Sequence, residues 1–144
     1  MKKIYLLLAL FMGVCAFSAC SDDDKEDAKT NELVGTWDAT REWWEDTDGN
    51  ITDEAVPGTW KDVYVFEDNG TGTNFFTDEY NKTNETAFTY TYENHILTFV
   101  YEDEEEGTSR TTLNVTIKDD VAMVKTTEVD DAGEYYCIEL KKIK

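Results

Sequence analysis

Thr86-Ala87-Phe88-Thr89-Tyr90-Thr91-Tyr92 is the stretch that decides the fold. Strand side chains alternate between faces, so Phe88, Tyr90 and Tyr92 share one side and Ala87, Thr89 and Thr91 the other. An apolar face backed by a small polar one predicts an antiparallel strand buried on one side only. Asn94 turns the chain into a second run, Ile96–Tyr101. The pattern returns in Ser109–Ile117, where Leu113, Val115 and Ile117 alternate with Thr112, Asn114 and Thr116. Asp119-Asp120 supplies a tight turn into Val121–Glu128, and Asp130-Asp131-Ala132-Gly133 turns the chain into Glu134–Ile143. Upstream lie Trp37–Trp44, Trp60–Glu67 and Thr71–Thr77, the last two joined at Asp68-Asn69-Gly70, where Asn and Gly tolerate positive φ. A polar stretch, Asp78–Glu85, precedes the opening run.

Eight strands result, with no helical period of useful length. The single proline, Pro57, falls between the first two runs, in a loop taken as Gly49–Thr59. Short connections imply antiparallel neighbours, and eight up-and-down strands close into an all-β barrel that removes exposed edges. A two-sheet sandwich is compatible with the same strand count. The predicted inward set is Trp37, Phe66, Phe88, Tyr90, Leu97, Phe99, Leu113, Val115, Ile117, Ile138 and Leu140.

Ahead of the strands, Met1-Lys2-Lys3, the apolar Ile4–Val14 and Phe17-Ser18-Ala19-Cys20 resemble a bacterial lipoprotein signal. That resemblance implies cleavage after residue 19 and attachment of acyl chains such as palmitate at Cys20, which anchors the protein to a membrane. The apolar run is shorter than the roughly 20 residues of a membrane-spanning helix. Ser21–Glu32, SDDDKEDAKTNE, has no large apolar residue and is expected to be a flexible acidic tether. Residues 1–19 are thus the signal, 20–32 the lipidated N-terminus and tether, and 33–144 the barrel domain. Asp22-Asp23-Asp24 resembles the surface-export signal of Bacteroides-type lipoproteins, which implies an outer-membrane, surface-exposed location.

The 144-residue chain carries 13 Lys+Arg against 32 Asp+Glu, a net charge of −19. Cleavage removes Lys2 and Lys3 and no acid, which takes the balance to −21. Such a surface repels phosphate backbones and anionic bilayers, so nucleic acid is excluded as a partner and lipid must do the anchoring. Cleavage also leaves only Cys20 and Cys137, which rules out an internal disulfide once Cys20 is lipidated. Cys137 reads as a buried strand thiol.

Catalytic equipment is sparse. His95 is the only histidine, too little for a zinc site of the usual kind, and its pairing with Cys137 would be coincidental. Ser109 is the only serine beyond Ser21, and there is no Gly-rich phosphate loop. The acidic loop Glu102–Gly107 lacks the alternating spacing of a calcium loop and reads as a solvated tip. No enzyme activity, cofactor or metal is expected.

Leu33-Val34-Gly35-Thr36-Trp37 resembles the Gly-x-Trp start of lipocalin-like barrels. Tyr64-Val65-Phe66-Glu67-Asp68-Asn69-Gly70-Thr71-Gly72 is similar to the hairpin between the second and third strands of lipocalin-like domain lipoproteins of Bacteroides relatives. The resemblance implies a cup-shaped barrel. Where lipocalins set an arginine over the first tryptophan, this chain end offers Lys141, Lys142 and Lys144.

Two functions follow. One is a binding module that holds a small amphipathic or apolar ligand in the barrel. The other is a surface interaction or structural subunit with a filled barrel, engaging a protein or glycan through exposed aromatics. An open cavity of about 300 Å³ or more would favour the first. The candidate ligand contacts are Arg41, Trp43, Tyr64 and Tyr90. By period two, Arg41 and Trp43 share the face of Trp37 and Ala39, so Arg41 would look into the lumen and clamp a carboxylate. Alternatively, a bulge turns Arg41 outward to one of the many acids. Trp43 and Trp44 are adjacent and point oppositely, so one is expected to be exposed or at the rim.

Overall fold

The computed structural model describes residues 31–144 except 56, 57, 59 and 104–106. The signal segment, Cys20, Asp22–Asp24, most of the tether, Pro57 and the middle of the acidic loop lie outside the described residues. Nine strands follow in chain order: β1 (Gly35–Glu45), β2 (Ile51–Ala55), β3 (Lys61–Phe66), β4 (Thr71–Thr77), β5 (Thr83–Glu93), β6 (Ile96–Asp103), β7 (Gly107–Lys118), β8 (Val121–Thr126) and β9 (Tyr135–Lys142). Each of β3 to β8 pairs antiparallel with its successor, and β9 pairs antiparallel with β1. The ring therefore closes.

It has eight places, although nine strands are present. β1 pairs with β3 through Gly35–Asp38 and with β2 through Glu42–Glu45. The two short strands share one position beside β1. The expected eight-stranded antiparallel barrel is the observed fold, and the expected loop at Gly49–Thr59 is corrected, because Ile51–Ala55 is a strand. Thr52 and Asp53 are polar and exposed there, so this strand has no apolar alternation to announce it.

The turns follow backbone chemistry. Asn94 and His95 both have positive φ, as do Asp119 and Asp120, the requirement of a two-residue hairpin loop. At Asp68-Asn69-Gly70 only Gly70 is left-handed, and Asn69 Oδ1 accepts the Thr71 N–H at 3.0 Å.

Inside, the core is Leu33, Trp37, Ala39, Phe66, Phe88, Tyr90, Leu97, Phe99, Leu113, Val115, Ala122, Val124, Ile138 and Leu140, with Ile117 partly buried against it. Every residue of the expected inward set is present. One end of the barrel is sealed. There Trp37 Nε1 donates to the Leu33 carbonyl at 2.7 Å, and Asn31 Nδ2 donates to the Tyr90 hydroxyl at 3.0 Å. Lys142 Nζ stands 5.2 Å from the Trp37 ring centroid, so a lysine supplies the cation over the first tryptophan.

β1 contains the one irregularity that matters for function. Ala39 lies opposite Leu140, yet Arg41 lies opposite Glu139, so Thr40 is an extra residue without a partner in the ladder. Such a bulge reverses which face the later residues occupy. Beyond it, Glu42 and Trp44 oppose Ile138 and Tyr136 and face the lumen, while Arg41 and Trp43 oppose Glu139 and Cys137 and face outward.

Candidate ligand cavity

Period two along the paired strands places Asp62, Tyr64 and Phe66 of β3 on the inner face, with Gly72, Asn74 and Phe76 opposite them on β4. The same register sends Leu97, Phe99 and Tyr101 inward from β6 and Tyr136, Ile138 and Leu140 from β9. Three layers stack along the axis. The first, at the sealed end, is filled by Trp37, Phe66 and Tyr90. Above it, Tyr64, Phe99, Leu113, Val124 and Ile138 surround a cavity of about 170 Å³ that reaches up to Tyr101 and Tyr136. The third layer is a polar collar, and beyond it Asn84 and Thr86 are exposed at the open end.

Glycine makes the lower wall possible. A Cβ on Gly72 would collide with the Phe88 ring and the Val65 carbonyl, so β4 brings bare backbone to that ring. Phe88 then packs edge-on to Phe99 at 4.8 Å and to Phe66 at 5.5 Å. Edge-to-face contacts of this kind hold the rings in fixed orientations.

Two carboxylates define the collar. Asp62 is only 6% exposed, and it accepts hydrogen bonds from the Tyr64 hydroxyl at 2.8 Å and from Asn74 Nδ2. Burial pushes its carboxyl above the usual aspartate value, and the nearby Asp38 charge adds to this. Glu42 is half-buried and faces the lumen opposite Ile138. Burial and then the Asp62 charge raise its carboxyl as well. The phenols respond in the same direction: burial first and Asp62 second push Tyr101 up to about 12, and Tyr64 and Tyr136 also rise. All three remain hydrogen-bond donors at any physiological pH. At the rim Trp60 stacks on Phe76 with centroids 6.4 Å apart, and Trp44 tilts against Tyr136 at 5.5 Å.

Of the four residues expected to touch a ligand, the structure brings only Tyr64 to the cavity. Tyr90 lies in the sealed layer, its hydroxyl held between Asn31 and the Glu67 carbonyl. Arg41 sits on the outer wall in a two-pronged pair with Glu54, at 2.7 and 2.9 Å. Of the two readings of Arg41, the lumen-facing one is overturned and the other is observed: the Thr40 bulge turns it outward to an acid. Trp43 also points outward yet is only 5% exposed, because Arg41 lies 4.7 Å above its ring and Glu45 accepts its indole N–H at 2.7 Å. Cys137, buried opposite it, belongs to this outer cluster. Trp43 is buried and Trp44 is half-buried at the rim, so the expected opposite placement of the pair is observed. Asp62 and Tyr136 escaped the sequence reading although period two from Phe66 and from Ile138 reaches both. Glu42 could not be found that way, because the bulge reverses its face.

Among the described residues no group of three or more His, Cys, Asp or Glu side chains is placed to hold a metal ion. No protein-family model matches this sequence, and no curated protein does. Solved structures do share the fold. The barrel is similar to the crystal structure of a lipocalin-like protein from Bacteroides uniformis ATCC 8492, with TM-score 0.52 and 13% identity over 77% of this chain and 98% of that one. It is also similar to an uncharacterized protein from Bacteroides eggerthii DSM 20697, with TM-score 0.50 and 14% identity over 75% and 98% of the two chains. At such identities the likeness is one of fold, a lipocalin-like barrel.

Proposed function

We propose that this protein is a lipid-anchored, surface-displayed binding protein whose barrel holds one small amphipathic molecule. The observation that carries the reading is the cavity of about 170 Å³ between a packed apolar floor and a polar collar. This falls short of the roughly 300 Å³ expected of a binding barrel and leaves no room for a drug-sized ligand, but an apolar cavity of about 150 Å³ still takes up a benzene-sized guest. The occupant is therefore a molecule with a single ring or a short branched chain, not a long-chain fatty acid. Its apolar part meets Leu97, Phe99, Leu113 and Ile138, and its polar end meets the collar.

Anchoring rests on the sequence. Each buried methylene contributes about 0.8 kcal/mol, so several acyl chains on Cys20 hold the protein firmly. Changing Cys20→Ala should release it from the membrane fraction, and protease added to intact cells should remove the domain unless Asp22–Asp24 are changed to alanine. The competing role, in which the outside engages a protein or glycan, has Tyr80, 80% exposed, and the rim residue Phe76 as its exposed aromatics among the described residues. Native mass spectrometry of the mature protein purified from its own cells separates the two. A retained small molecule supports the cavity reading, and an empty barrel that also refuses ring-sized probes defeats it.

A further inference from the structure

The collar bears negative charge and nothing positive. Asp62 projects inward from β3 and Glu42 from β1, close enough for the Tyr136 phenol to feel both. The two ion pairs among the described residues, Arg41 with Glu54 and Lys125 with Glu45, both lie on the outer wall. A buried carboxylate without a cation is costly, and two that repel each other are more so. Hydrogen bonds from Tyr64 and Asn74 satisfy part of the Asp62 lone pairs but neutralise no charge. Immediately below, the cavity begins, walled by the rings of Tyr64, Tyr101 and Tyr136.

From this arrangement, and resting on the ligand-binding reading above, we infer that the collar is a cation site and that the ligand is a small organic ammonium. Its charged head sits between Asp62 and Glu42, and its apolar body fills the cavity. Ammonium groups suit the place twice over. They donate charge-assisted hydrogen bonds to the carboxylates, and they are attracted to the negative faces of aromatic rings. An anionic head would meet two carboxylates in a poorly screened interior and is rejected. The acidic surface acts in the same direction at longer range by concentrating cations near the mouth.

Three probes of one shape test this by calorimetric titration of the purified mature chain: benzylamine, benzyl alcohol and benzoate. Benzylamine should bind at least about ten-fold more tightly than benzyl alcohol, a difference of about 1.4 kcal/mol, and benzoate should not bind. Both Asp62→Asn and Glu42→Gln should cut the ratio of benzylamine to benzyl alcohol affinity. Using two variants covers the case in which one of them fails to fold. If benzyl alcohol binds as well as benzylamine, or if the preference survives both changes, the cation site is wrong and the cavity reading stands. If none of the three probes binds, the cavity reading itself falls.

Discussion

Gly72 and Phe88 occupy directly opposed positions on β4 and β5, and the Phe88 ring lies where a side chain at Gly72 would begin. The absence of a Cβ is thus a packing requirement of the barrel floor rather than a matter of backbone freedom. Gly72→Ala should cost about 1–3 kcal/mol through overpacking, read as a lower midpoint in urea with an unchanged slope. Gly49→Ala, where a Cβ meets nothing, is the control for the strain of a left-handed backbone alone.

Thr40 sets which residues of β1 enter the lumen. Deleting it restores an unbroken ladder with β9 and turns Arg41 and Trp43 inward, which would bury a guanidinium among apolar side chains. The deletion should abolish cooperative thermal unfolding, whereas Thr40→Ala, which keeps the residue count, should melt within a few degrees of wild type.

Stability should be greatest in mildly acidic solution. Asp62 and Glu42 are raised above their ordinary values of 3.8 and 4.5, so ionising them costs folding energy. That cost is complete above their folded values and vanishes as the pH falls to the ordinary ones. Glu45 and Glu54 are lowered, mainly by their hydrogen bonds to Lys125 and Arg41, so they stabilise above 4.5 and lose this as the pH falls through their folded values. The melting temperature should therefore rise as the pH falls through the folded values of Asp62 and Glu42 and then drop in stronger acid. Asp62→Asn should flatten that rising limb.

Cys137 is buried against the outer cluster, and burial, with the Glu45 charge, pushes its thiol up to about 11. Thiolate, not thiol, is the reactive form. In a chain carrying Cys15→Ser and Cys20→Ser, a thiol-specific reagent at pH 8 should label Cys137 only after denaturation. Labelling of the native protein at the rate of a free thiol would show that the cluster opens.

Much of the barrel is written locally. From β3 to β9 the strands declare themselves by period two, as in Phe88, Tyr90 and Tyr92, or Leu113, Val115 and Ile117. Their turns are fixed by residues that accept positive φ, such as Asn94 and Asp120. Since each strand's inner face follows from its own alternation, the floor residues and Tyr64 were legible without any knowledge of partners.

What only the tertiary structure decided is which way β1 faces after Thr40 and what surrounds Asp62. A bulge is a mismatch in residue count between β1 and β9, nearly a hundred positions apart, so nothing within Trp37–Trp44 reveals it. The pairing alone sends Arg41 out to Glu54 and Glu42 into the lumen opposite Ile138. Among 32 acidic residues, Asp62 has no distinguishing neighbour in the sequence. It becomes distinctive once the closed ring brings Tyr64, Asn74, Glu42 and Tyr136 around it, because burial and the proximity of like charge are properties of the assembled wall.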